Sequence, residues 1–195
     1  MGVNLVPEIY NLSIQKVHFQ RKDSSTPRPP GVQLIKNGSV EEGCISEGTH
    51  RILVFATDIH NRGNEDLKIG NPRVRDDIFE PANHMPHGYR MKKEFYSFAL
   101  KDTTGKVLAQ SFKRPYCIKD HSTYSCENQG ISIGDHDEYN TDQICQFIPL
   151  ENIQDDEYLL EVTVNPNQVF QEDSYDDNTM VKRIKIRGNI VREIN

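Results

Sequence analysis

The chain alternates apolar and polar residues in short runs, and turn residues break each run before it reaches helical length. RILVFATDI (51–59) is apolar through its middle and predicts a buried central strand. EFYSFAL (94–100) and KVLAQSF (106–112) flank the turn sequence KDTTG and predict a hairpin. EYLLEVTVN (157–165) alternates most clearly, and MVKRIKIRG (180–188) predicts the last strand. Near the start, YNLSIQKVHFQ (10–20) changes phase between Ile14 and Val17, which predicts a bulge or an edge strand. The pattern contains no internal repeat and no long amphipathic helix.

Strands spaced by turns predict an all-β fold, a β-sandwich. Two segments, 70–90 and 117–145, have no clean period, and loops of that length carry function or need crosslinks. The 195 residues suit a single domain over 1–195, with RKDSSTPRPPG (21–31) as a flexible insertion and 189–195 as a tail. A net charge of −6 argues against general nucleic-acid or anionic-membrane binding, while leaving room for a local basic patch. No apolar run is long enough to predict a transmembrane segment. The opening, MGVNLVPEIYNLSIQ, lacks the basic region and long apolar core of a secretory signal. Cys44, Cys117, Cys126 and Cys145 form no CxxC, and their spacing suits buried thiols and two disulfides equally.

Three stretches carry candidate chemistry. In HMPHGYRMKKEF (84–95), His84 and His87 could ligate a transition metal such as Cu or Zn. Two histidines beside Arg90, Lys92 and Lys93 read more simply as a solvated polar loop. In FKRPYC (112–117), an aromatic and an arginine flank Lys113, a setting that could lower its pKa and make the amine nucleophilic, though most lysines stay solvated. QEDSYDDN (171–178) concentrates oxygen-bearing side chains suited to a hard cation such as Ca2+, without EF-hand spacing; an acidic turn is the simpler reading.

Taken in order, several stretches resemble the catalytic domain of the lysyl oxidase family. DQICQFIPLENIQDDEYLLEVTVNPNQVFQEDSYDDN (142–178) is similar to the family's D-x-x-C-Q-W, G-x-Y-x-L-x-V and E-S-D-Y-x-N-N run. QGISIG (129–134), DIHNRGNEDL (58–67) and NLVP (4–7) resemble its upstream motifs. The resemblance runs from about residue 4 to 188 and implies a β-sandwich with extensive loops. Family members are copper-dependent amine oxidases that act on peptidyl lysine through a lysine tyrosylquinone cofactor. The resemblance puts Lys113 at the cofactor lysine and Tyr139, six residues before Cys145, at the cofactor tyrosine. The three copper-ligand histidines align with Pro86, Gly88 and Arg90, which are not copper ligands. This implies neither copper nor quinone, with Lys113 and Tyr139 a vestigial pair. The resemblance also implies disulfides Cys44–Cys145 and Cys117–Cys126, and a structural Ca2+ at Asn4, Leu5 (main-chain oxygen), Glu172, Ser174, Asp177 and Asn178.

The expected function is therefore that of a non-catalytic lysyl oxidase-like structural or binding protein, extracellular or on the surface of a particle such as a virion. Arg73, Arg75, Arg90, Lys92, Lys93, Lys113 and Arg114 fall in or beside the two long loops and suggest a contact surface for an acidic protein partner. One alternative is a copper-dependent quinone amine oxidase with an atypical metal site, built from His84, His87 and a remote histidine such as His60, His121 or His136. Another is an extracellular modulator that mimics the oxidase domain.

Overall fold

The computed structural model describes residues 2–195, and the strand predicted at 51–59 lies at its centre, extended at both ends. This strand, β3 (Gly48–Asn61), pairs on one edge with β1 (Leu5–Phe19). Its other edge pairs with β10 (His136–Tyr139) and then β11 (Phe147–Pro149). The short strand β2 (Gln33–Ile35) joins the far side of β1 in parallel and completes the first sheet. The second sheet runs β14 (Ile190–Glu193), β13 (Thr179–Arg187), β12 (Glu157–Val164), β7 (Tyr96–Lys101) and β8 (Val107–Lys113), all antiparallel. Two small ribbons, β4 (Leu67–Gly70) with β9 (Gln129–Ile131) and β5 (Phe79–Pro81) with β6 (Tyr89–Met91), organise the long loops. The single helix among the described residues, α1 (Ser39–Glu42), is one turn long and bounded by left-handed Gly38 and Gly43.

Strand alternation explains the sandwich. Leu53, Phe55 and Ile59 of β3 point inward, towards Phe98, Leu100, Leu160, Val162, Ile184 and Ile186 of the second sheet. Phe55 and Phe98 meet edge to face across the layers, with centroids 5.0 Å apart. The opposite face of β3 is also apolar at one end. There Ile52 and Val54 join Val17, Phe19 and Phe147 beneath Ile45, Ala82, Met85 and Ile144 from the loops.

That second cluster accounts for the phase change in β1, and it corrects the expected bulge position. The register shifts between Tyr10 and Ser13, where Asn11 adopts φ 53, several residues before Ile14. Beyond the shift Ile14 belongs to the sandwich core, whereas Val17 and Phe19 belong to the outer cluster. Nor is the end of β1 an edge, because β2 covers it. Residues 190–193, expected in a tail, form an edge strand on β13.

Both implied disulfides are present, Cys44–Cys145 and Cys117–Cys126. The first closes 101 residues, a loop for which chain entropy corresponds to about 4.7 kcal/mol, and it fastens α1 over the outer cluster. The second closes a segment separated by 9 residues. Buried Asp120 braces that same loop, accepting from the backbone N–H groups of Ser122, Thr123, Tyr124 and Ser132. No helix among the described residues is long and apolar enough to cross a membrane.

Candidate functional site

The last residue of β8 and the last of β10 meet at one end of the sandwich. Alternation along β10 buries Asp137 and Tyr139 while His136 and Glu138 stay partly exposed. Lys113 is 3% exposed, and its Nζ lies 5.0 Å from the Tyr139 ring centroid. The amine donates to the Ile144 carbonyl at 2.7 Å, and the Tyr139 hydroxyl donates to the Cys117 carbonyl at 3.2 Å. Tyr96 stacks edge to face on Tyr139 from the second sheet. A cavity of about 230 Å3 opens above the pair, lined among others by His87, Tyr116, His121 and Asp137.

Burial controls the protonation of this group. It pulls the Lys113 amine down to about 7 against the opposing charges of Asp137, Glu42 and Asp142. It pushes the Asp137 carboxyl up to about 7, although Tyr139 and Lys119 favour the ionised form. It also holds the Tyr139 phenol well above its usual range. Asp137 Oδ2 is buried without a hydrogen-bond partner. An amine that loses its proton near neutrality is a nucleophile in physiological conditions.

Beside the cavity lies a buried ion cluster that sequence reasoning missed. The Glu42 side chain is 1% exposed. Its Oε1 receives Arg90 Nη1 at 2.6 Å and also the His84 imidazole. Its Oε2 faces Arg114 Nε at 3.2 Å, a charge contact rather than an aligned hydrogen bond, while Arg114 Nη2 donates to the Glu42 carbonyl at 3.0 Å. Arg90 Nε reaches Glu80 at 2.8 Å across the β5–β6 ribbon. Desolvation works against the Arg90 charge, but its hydrogen bonds to the Glu42 and Glu80 carboxylates prevail and keep its pKa above the ordinary value.

Residues 35–195 match the lysyl oxidase domain. The chain belongs to the lysyl oxidase family. It is 28% identical over 170 residues to lysyl oxidase homolog 2 of Bos taurus, covering 77% of this chain and 21% of that protein. Against lysyl oxidase homolog 2 of Gallus gallus the identity is 29% over 154 residues, with 74% and 19% covered. Against protein-lysine 6-oxidase of Bos taurus it is 28% over 171 residues, with 77% and 40% covered. The chain thus spans about a fifth of the length of the homolog 2 proteins.

Lys113 and Tyr139, the two residues expected at the family's cofactor positions, are brought together, with the Lys113 amine over the Tyr139 ring. The residues expected at the copper-ligand positions offer no imidazole. Pro86 and Gly88 have no ligating side chain, and Arg90 is bound up with Glu42 and Glu80. Of the alternative metal histidines, His84 is engaged by Glu42, and His87 packs against Tyr116 with centroids 5.6 Å apart. Among the described residues, the one trio of His, Asp and Glu ligand atoms within 4.8 Å of one another is Glu8, Asp58 and His60, and it includes neither His84 nor His87.

The basic residues divide. Arg90, Lys113 and Arg114 serve the interior, and Arg75 is held by Asp77, whereas Arg73, Lys92 and Lys93 are exposed. The expected calcium residues converge from both ends of the chain. Glu172 accepts from Leu5 N–H, Asn165 and Asn178, and Asn4 donates to Asp177 at 2.9 Å. Asn4 Oδ1 and Asn178 Oδ1 are buried acceptors without a donor, and burial raises the pKa of Glu172.

Replacing Glu42 with Gln strips the counter-charge from Arg90 and Arg114. Denaturant titration of Glu42→Gln is expected to show a loss of roughly 3–5 kcal/mol; a loss under about 1 kcal/mol would mean that the cluster is not a closed ion pair. For Lys113, the folded pKa near 7 lies below the unfolded value of 10.5. Between them the unfolded chain holds a proton that the folded chain lacks, so this residue makes stability rise with pH across that window. Lys113→Met should lack the rise, so its stability relative to the parent falls from pH 7 towards pH 10.5. A pH-independent gap, measured by denaturation at both ends, would refute the shift.

Proposed function

We propose that this lysyl oxidase-family domain acts as a binding or structural protein rather than as a copper amine oxidase. One observation carries the reading. The segment expected to hold the copper ligands supplies Arg90 to a cluster around buried Glu42 that also takes in Glu80 and Arg114, two guanidiniums against two carboxylates. The paired cysteines favour an oxidising setting, extracellular or on a particle surface. The exposed cations Arg73, Lys92 and Lys93 favour an acidic protein partner meeting the loop over 70–93. A modulator that mimics an oxidase domain would share these features and differ only in its partner.

A second reading, a working oxidase with a rebuilt metal site, is favoured by the placement of Lys113 over the Tyr139 ring. One experiment separates the two. The full chain is incubated with excess Cu2+ in air and dialysed, then assayed by elemental mass spectrometry and peptide mapping. The expected result is no retained copper and unmodified Lys113 and Tyr139. Stoichiometric copper with a Lys113–Tyr139 crosslink would overturn the binding-protein reading.

The donorless oxygens of Asn4 and Asn178, with the Glu172 and Asp177 carboxylates, suit a calcium ion that would tie the first strand to the turn before β13. Calcium should raise the melting temperature of the parent and leave that of Glu172→Gln unchanged. A calcium-independent parent would eliminate the site.

A further inference from the structure

The outer face of the first sheet changes character along β3. Past Ile52, Val54 and Ala56 the outward residues of β3 become polar, and two in-register rows cross three strands. One row is Glu8, Asp58 and Glu138; the other is Val6, His60 and His136. Directly opposed side chains on one face of a sheet lie within contact distance, and like charges there repel. Three carboxylates share one row, and none of the six positions carries a lysine or arginine. The adjoining row supplies two imidazoles, whose rings stack with centroids 5.1 Å apart and planes inclined by 27°.

The ligand atoms of Glu8, Asp58 and His60 all lie within 4.8 Å of one another. His60 Nε2 is 3.2 Å from Glu8 Oε2, and the Tyr10 hydroxyl donates to Asp58 Oδ1 at 2.7 Å. The His136 ring stacks on that of His60 across the strand pair, and its Nδ1 faces Asp135 Oδ1 at 3.6 Å. We propose that Glu8, Asp58 and His60, with His136 as fourth donor, form a surface site for a divalent cation of the zinc class. Mixed imidazole and carboxylate donors match zinc, whereas calcium and magnesium favour oxygen alone. A cation here would cancel the repulsion within the carboxylate row.

The site is separate from the Lys113–Tyr139 pair. On β10, His136 and Glu138 alternate with Asp137 and Tyr139, so the strand itself stands between the two groups. The proposal therefore holds whether or not the domain oxidises amines.

The test is equilibrium dialysis of the calcium-saturated full chain against zinc chloride, with histidine ring signals followed by NMR. One zinc per chain is expected, weakened at least about tenfold in Asp58→Asn and in His60→Gln. The His60 and His136 signals of the parent should shift on titration while that of His18 stays still. This second readout needs no variant to fold. Absence of zinc binding, binding by both variants as tight as that of the parent, or shifts centred on His84 and His87 would each overturn the assignment.

Discussion

Register along β3 is the constraint from which the rest follows. The strand pairs with β1 over most of its length and with β10 and β11 on its other edge, so every residue has a fixed face. A slip of one residue would exchange Phe55 and Ile59 for Ala56 and His60 in the sandwich core. It would also turn Asp137 and Tyr139 away from Lys113. The apolar packing of Phe55 on Phe98 and the meeting of Lys113 with Tyr139 are thus held by the same alternation.

The two faces of this sheet do different work. The inner face packs a conventional sandwich core. The outer face is covered at one end by α1 and the loops, with Cys44–Cys145 as the fastening. At the other end it is open and carries carboxylates and imidazoles in register. The buried amine and phenol lie at the margin between these regions, where short strands replace long ones.

Strands were legible because period-2 alternation is local: the sequence patterns at 94–100, 106–112, 157–165 and 180–188 correspond to β7, β8, β12 and β13 within a few residues. That Lys113 and Tyr139 lie side by side could be anticipated only through family resemblance, since they are far apart in sequence. Glu42 left no signal: a glutamate in SVEEG looks solvated until Arg90 and Arg114 are placed around it. The basic residues misled for the same reason, because composition cannot tell an exposed Lys92 from an interior Arg114. Asp137 could have been found by counting two residues back from Tyr139 on a strand. Glu8 and Asp58 needed the β1–β3 register, which the bulge at Asn11 and Leu12 conceals.

The Glu42 cluster has a consequence for how the domain matures. A guanidinium is part of the polypeptide, stays protonated in any physiological medium and has no oxidation states. Arg90 and Arg114 supply their positive charge as soon as the chain closes around Glu42. The positive charge at this corner of the sandwich therefore comes from the polypeptide itself and arrives with folding.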